Sequence, residues 1–153
     1  MGTHTLSSGA SLAADPSIRA LVISQHEVVR RQLVAYLSRS PYLVVEGERF
    51  DADVIRRAMP DVLVLDLSQL GEASIRQAID AVIATGAGLI ALASMPDVHV
   101  ERLVREAGGL YRLKAAGADR LAEVVREVAI VSKPLAGPLG MSSCPPCGGA
   151  ATA

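Results

Sequence analysis

The carboxylate of Asp66 is the side chain in this chain best placed to do chemistry. It ends a short apolar run, Val62 to Leu65, that follows the break Met59-Pro60-Asp61. Four to eight aliphatic and β-branched residues after such a break read as a strand buried on both faces, as in a parallel sheet. Asp66 then stands at the carboxyl end of that strand, where open α/β sheets form their ligand crevice. A charge there is costly as plain core, so it is assigned to chemistry or to cation binding. The other chemically suggestive residues are weaker. Cys144-Pro-Pro-Cys147 has the spacing of half a zinc site or of a redox dithiol. A zinc site needs about two further ligands and none lies nearby, and Gly-Gly-Ala-Ala-Thr-Ala does not follow as the helix a redox motif requires. The pair reads as two incidental thiols in an unstructured tail. His4 and His99 are isolated.

The elements that must hold Asp66 follow from periodicity. Ile18 to Ile23 is a first strand. Glu27 to Leu37 is a helix with Val29, Leu33, Tyr36 and Leu37 on one face and Arg30, Arg31 and Arg39 outside it. Pro41 stops it, and Tyr42 to Val45 begins a second strand. Asp51 caps a short helix from Ala52 to Ala58, and the key strand runs from Val62 to Asp66. Ser74 to Ala84 forms a helix buried through Ile75, Ile79, Val82 and Ile83 and closed by Gly86. Leu89 to Ala93 is a fourth strand, and a helix opening at Pro96 or Asp97 runs to Ala107. Leu110 to Leu113 is a fifth strand, followed by an amphipathic helix from Gly117 to Val131. Strands alternating with helices over short loops predict an α/β fold of the flavodoxin-like, doubly wound type. It has five parallel strands in the order 2-1-3-4-5, with helices on both faces. Residues 17–131 form this domain, with a disordered leader at 1–16 and a flexible Pro/Gly/Ala-rich tail at 132–153.

Three segments, correctly ordered and spaced, resemble a response-regulator receiver domain of the type normally joined to a LuxR-type helix-turn-helix. Pro-Asp-Val-Leu-Val-Leu-Asp66-Leu is similar to its third strand, Leu21-Val-Ile-Ser24-Gln25-His26-Glu-Val-Val-Arg30 to its first strand and helix, and Tyr111-Arg-Leu-Lys114 to its fifth strand. The resemblance runs from about Ile18 to Val131. It implies that Asp66 occupies the phospho-acceptor position, that Lys114 is the phosphate-binding lysine reaching Asp66 across the crevice, and that Tyr111 is the switch aromatic.

The chain departs from the family at the metal site. An acidic pair that helps hold Mg²⁺ is replaced by Ser24 and Gln25. Mg²⁺ favours anionic oxygen, and the loss of two charges removes several kcal/mol of attraction, on the order expected from charge–charge energies. Glu27 and Glu72 are candidate substitutes, but Glu27 starts a helix and Glu72 is placed in a loop. No cofactor is expected unless this pocket is rescued, with metal binding at most weak through Asp66. The hydroxyl donor that ends the family's fourth strand aligns with Ala93. Ser94 lies one residue on, where strand alternation turns it to the opposite face. His26 has no chemical role assigned. With no acidic pair, Lys114 is placed to neutralise Asp66 directly, mimicking the family's charge neutralisation without phosphate.

Composition bounds the function. The chain has 153 residues, enough for one domain with a proper core, and a formal net charge of −1 gives no electrostatic reason for nucleic-acid binding. The apolar runs fall short of the roughly 18 residues that span a bilayer, and no signal peptide is legible, so a cytoplasmic location is expected. The tail is too short for a helix-turn-helix, so specific DNA binding is not expected. The favoured reading is an atypical, non-enzymatic receiver in two-component phosphorelay signalling and transcription regulation, with a degenerate Mg²⁺ pocket. It would act on a protein partner, a sensor histidine kinase or another regulator, or as a homodimer through the fourth helix, fifth strand and fifth helix. Leu103, Arg112 and Arg126 are the expected surface members. A conventional receiver phosphorylated at Asp66 is the alternative. A small-ligand or enzyme domain on the same fold is disfavoured, because Ser24-Gln25-His26-Glu27 has no glycine to admit a cofactor phosphate.

Overall fold

The computed structural model describes residues 17–132. The leader and tail expected from the sequence, with Cys144 and Cys147, lie outside the described residues. The elements run β1 (Ile18–Ile23), α1 (Glu27–Leu37), β2 (Leu43–Glu48), α2 (Ala52–Ala58), β3 (Val62–Asp66), α3 (Glu72–Thr85), β4 (Gly88–Ala93), α4 (Val98–Glu106), β5 (Leu110–Leu113) and α5 (Leu121–Ser132). A 3₁₀ turn, Lys114–Ala116, follows β5 directly. The strands pair in parallel in the order β2-β1-β3-β4-β5, the doubly wound order expected from the alternation of elements.

Strand alternation divides the core into two layers. Leu21, Ile23, Leu63, Leu65 and Leu89 face Ile55, Ile75, Val82, Val100 and Val104, the layer under α2, α3 and α4. Ala20, Val22, Val62, Val64 and Ile90 face Leu37, Leu121, Val125 and Ala129, the layer under α1 and α5. All residues of β3 are buried, because helices cover both faces of a central parallel strand. Gly88 opens β4 where α5 crosses closely: a β-carbon there would collide with Val128.

Several boundaries differ from the expected ones. β2 starts at Leu43 and continues to Glu48, and just before it the Tyr42 carbonyl accepts from the Ile18 N–H at 2.9 Å. α4 starts at Val98, with Asp97 as its cap, Oδ1 accepting from the N–H groups of His99 and Val100. α3 starts at Glu72, two residues early, because Gly71 is its N-cap and its carbonyl accepts from the Ile75 N–H at 3.1 Å. Glu72, expected in a loop, is therefore a first-turn acid favourably placed on the helix dipole. α5 starts at Leu121 rather than Gly117. Gly117 takes a φ of +87°, outside the helical region, so the chain bends once more before the helix begins.

Candidate functional site

Alternation along β3 and β1 brings Asp66 and Ser24 to the same crevice. Asp66 follows Val62 and Val64 on one face, and Ser24 follows Ala20 and Val22 on the same face of the neighbouring strand. Both side chains are buried at 0% exposure. Ser24 Oγ donates to Asp66 Oδ2 at 2.8 Å. Lys114, in the turn just beyond β5, reaches across to place Nζ 2.6 Å from Asp66 Oδ1. The Ser68 N–H donates to the same Oδ1 at 3.0 Å.

The network continues outward. Lys114 Nζ donates to Ser68 Oγ at 2.8 Å, which leaves the Ser68 hydroxyl proton available to Ser94 Oγ at 3.0 Å. Among the described residues no buried side-chain polar atom lacks a partner, as a buried charge requires. Burial alone pushes the Asp66 carboxyl up. The hydrogen bonds from Lys114, the Ser68 backbone and Ser24, with the charge of Lys114, outweigh it and hold Asp66 below the usual carboxylate range.

The other candidate residues are distributed unevenly. Gln25 is turned away from Asp66: its Oε1 accepts from the Phe50 N–H at 3.2 Å. Ser94 does reach the cluster, against the expectation from strand alternation, because β4 ends at Ala93 and the pleat no longer constrains the next residue. Tyr111 donates its hydroxyl proton to Met95 O at 3.1 Å and accepts from the Asp97 N–H at 3.0 Å, tying β5 to the entry of α4. His26 is the N-cap of α1 without a side-chain capping bond. Arg112, half-buried, lines a cavity together with residues of α1, and Arg126, exposed on α5, stacks 5.3 Å over the Tyr42 ring. Ser68 was missed from sequence. The signal for it is Asp66-Leu67-Ser68, since an Asp often accepts the N–H two residues on.

The donor set does not fit the Mg²⁺ that the resemblance to receiver domains implies. Asp66 is the one carboxylate in the cluster, and its oxygens are taken by an ammonium, an N–H and a hydroxyl. The two candidate substitutes are engaged elsewhere: Glu27 pairs with Arg31 at 2.6 Å, and Glu72 with Arg76 at 2.9 Å and His99 at 3.3 Å. Among the described residues no group of three or more His, Cys, Asp or Glu side chains could hold a metal. Mg²⁺ takes oxygen ligands in near-octahedral array through one or two carboxylates and water, and the one carboxylate here already faces an ammonium. As arranged, Asp66 is a buried acid paired with an ammonium, Oδ1 meeting Lys114 and the Ser68 N–H and Oδ2 accepting from Ser24.

The chain is 34% identical over 122 residues to the transcriptional regulatory protein LiaR of Bacillus subtilis, covering 71% of this chain and 54% of that protein. The chain thus spans about half the length of that curated relative. The chain belongs to the response-regulator receiver family. Solved structures agree on the fold. A CheY-like receiver domain protein from Methanospirillum hungatei matches with a TM-score of 0.65 at 16% identity, over 76% of this chain and 96% of that one. The signal receiver domain of the response regulator NarL from Mycobacterium tuberculosis matches with a TM-score of 0.59 at 23% identity, over 74% and 97%. At these identities the likeness speaks for the receiver fold alone. No protein-family model matches the chain. Among the described residues of the receiver domain, no helix is long and apolar enough to cross a membrane.

Proposed function

We propose that this receiver domain is an atypical signalling module of a two-component system, working in the cytoplasm through protein contacts rather than as an enzyme. The observation that carries the reading is the 2.6 Å pair between Lys114 and Asp66. The ammonium sits against the acceptor carboxylate, and Ser24 and Gln25 supply no negative charge to bring a divalent cation in beside it. The carboxylate is therefore neutralised without phosphate. Tyr111, bonded to Met95 and Asp97, couples β5 to the start of α4, the direction in which a change at the crevice would reach a protein partner. Ser94, through Ser68, links the crevice to the same loop.

The partner is read as another protein of the pathway, a sensor histidine kinase or a further regulator. The α4, β5 and α5 face is the expected self-association surface, and Met95, Val98 and Leu110 leave apolar area exposed near it. LiaR is a transcriptional regulatory protein; a role in transcription comes to this chain by that likeness, without specific DNA binding by the receiver domain itself. A mobility-shift assay tests that point, since salt-resistant binding to a defined duplex would contradict it.

Intact-mass measurement after incubation with acetyl phosphate, with and without Mg²⁺, tests the central reading. Little or no Mg²⁺-dependent mass gain is expected. A near-stoichiometric phosphoryl adduct abolished by Asp66→Asn would instead favour a conventional phospho-accepting receiver. That second reading draws on the placement of Lys114 and the Ser68 and Ser94 hydroxyls around Asp66, donors that could serve a phosphoryl group.

A further inference from the structure

A cavity of about 520 Å³ opens between α1 and the segment joining β5 to α5. Val29, Leu33 and Tyr36 line it from α1, Leu113 and Leu121 from the opposite side. The late start of α5 creates the space. Gly117 and Ala118 line the cavity where another helical turn would have packed against α1, and neither has a side chain large enough to fill it. Leu33 consequently stays only half-buried although it belongs to the apolar face of its helix.

The charges around this cavity are of one sign. Arg112 reaches it from β5, half-buried, with no hydrogen bond or ion pair among the described residues. Arg39 stands at its edge, 5.9 Å over the Tyr36 ring. Lys114 shares the wall, but its ammonium is committed to Asp66. No Asp or Glu lines the cavity. A guanidinium drawn partly out of water with no counter-charge is stabilised by an incoming anion. The surrounding aliphatic wall would at the same time gain from an apolar body.

We propose that this cavity binds a small amphipathic anion, an aliphatic or aromatic body carrying one carboxylate or sulfonate. The body lies between α1 and the start of α5, and the acidic head pairs with Arg112, assisted by Arg39. The volume lies in the range of roughly 300–1,000 Å³ typical of small-molecule sites, and a mostly apolar lining with a few placed polar groups is typical of them too. A neutral apolar molecule would leave Arg112 unpaired, and a cationic one would be repelled. The inference does not depend on whether Asp66 is phosphorylated.

Calorimetric titration of the whole 153-residue chain tests it, with dodecanoate and anilinonaphthalene sulfonate as probes and dodecyltrimethylammonium as the charge-reversed control. Both anions should bind at one shared site and displace each other, while the control binds far more weakly. Methyl NMR shifts should concentrate on Val29, Leu33, Leu113 and Leu121. Arg112→Ala should weaken dodecanoate about tenfold or more, the loss of one charge-assisted contact. Ala118→Trp, at an exposed position on the rim, should fill the cavity and abolish binding without lowering the thermal midpoint, and Ala35→Trp repeats the test from α1 should the first variant fail to fold. Arg126→Ala, outside the cavity, should change nothing. Binding of anion and cation alike, unchanged affinity in Arg112→Ala, shifts confined to another face, or no binding of either anion would each overturn the proposal.

Discussion

Lys114 Nζ lies 2.6 Å from Asp66 Oδ1, and the two partners are unequally buried: the Asp66 side chain is 0% exposed and that of Lys114 is 29%. The carboxylate therefore depends on the lysine more than the lysine depends on it. Lys114 retains water on its open side, whereas Asp66 has only its protein partners.

This asymmetry sets the outcome of a double-mutant cycle. Lys114→Ala leaves a buried carboxylate with two neutral donors and should destabilise the domain by about 3 kcal/mol, the scale for an uncompensated buried charge. Asp66→Asn/Lys114→Ala should cost less than Lys114→Ala alone. An exposed pair would couple by no more than about 1 kcal/mol; full burial of Asp66 raises the expected coupling to about 2 kcal/mol. Urea denaturation of the four proteins measures it, and zero coupling would mean that the pair does not form in solution.

The pH dependence follows from the same pair. Asp66 titrates below its ordinary value of 3.8 in the folded state. A lowered folded value means that its ionised form stabilises the fold. That contribution is complete above the unfolded value and is lost as pH falls through the folded one. The stability gap between wild type and Asp66→Asn should thus be constant near neutrality and change only below about pH 4. A gap that instead shifts between pH 6 and 8 would contradict a lowered carboxyl.

Restoring acidic residues should restore metal chemistry at a cost in stability. Ser24→Asp puts a second carboxylate where a hydroxyl now donates to Asp66 at 2.8 Å. Without metal, Ser24→Asp/Gln25→Asp should lower the thermal midpoint through like-charge repulsion, and added Mg²⁺ should recover it while leaving wild type unchanged. Gln25→Asp alone should do little to metal affinity unless its loop re-orients, because Gln25 faces Phe50. Equal Mg²⁺ responses in wild type and double variant would refute this.

Tyr111→Phe removes a hydroxyl that bonds both Met95 O and the Asp97 N–H. The expected loss in global stability is about 1 kcal/mol, since the site is open to water. Its local signature is faster amide hydrogen exchange at residues 95–98, which loosens the entry of α4. Unchanged exchange there would show that Tyr111 does not hold this loop.

The sequence by itself determined the alternation of elements, and through it the strand order, because apolar runs of strand length between amphipathic helices leave few ways to bury both faces of a sheet. It also placed Asp66 at the end of β3, since the break at Pro60-Asp61 and the run Val62–Leu65 bound that strand on both sides. Helix starts were less legible. Gly71 as a cap and Gly117 at φ +87° are decided by backbone geometry that no periodicity announces. Tertiary structure alone decided which polar side chains meet Asp66. Ser24 and Gln25 are neighbours in the chain, yet one donates to the carboxylate and the other bonds the chain leading to α2. Ser94 reaches the cluster only because β4 stops one residue before it, and Ser68 enters through a turn local to Asp66. Side-chain direction past a strand end depends on the partners that satisfy each buried polar atom, and those partners come from segments distant in sequence. The cavity beside α1 belongs to the same class, since it exists only where the late start of α5 leaves α1 uncovered.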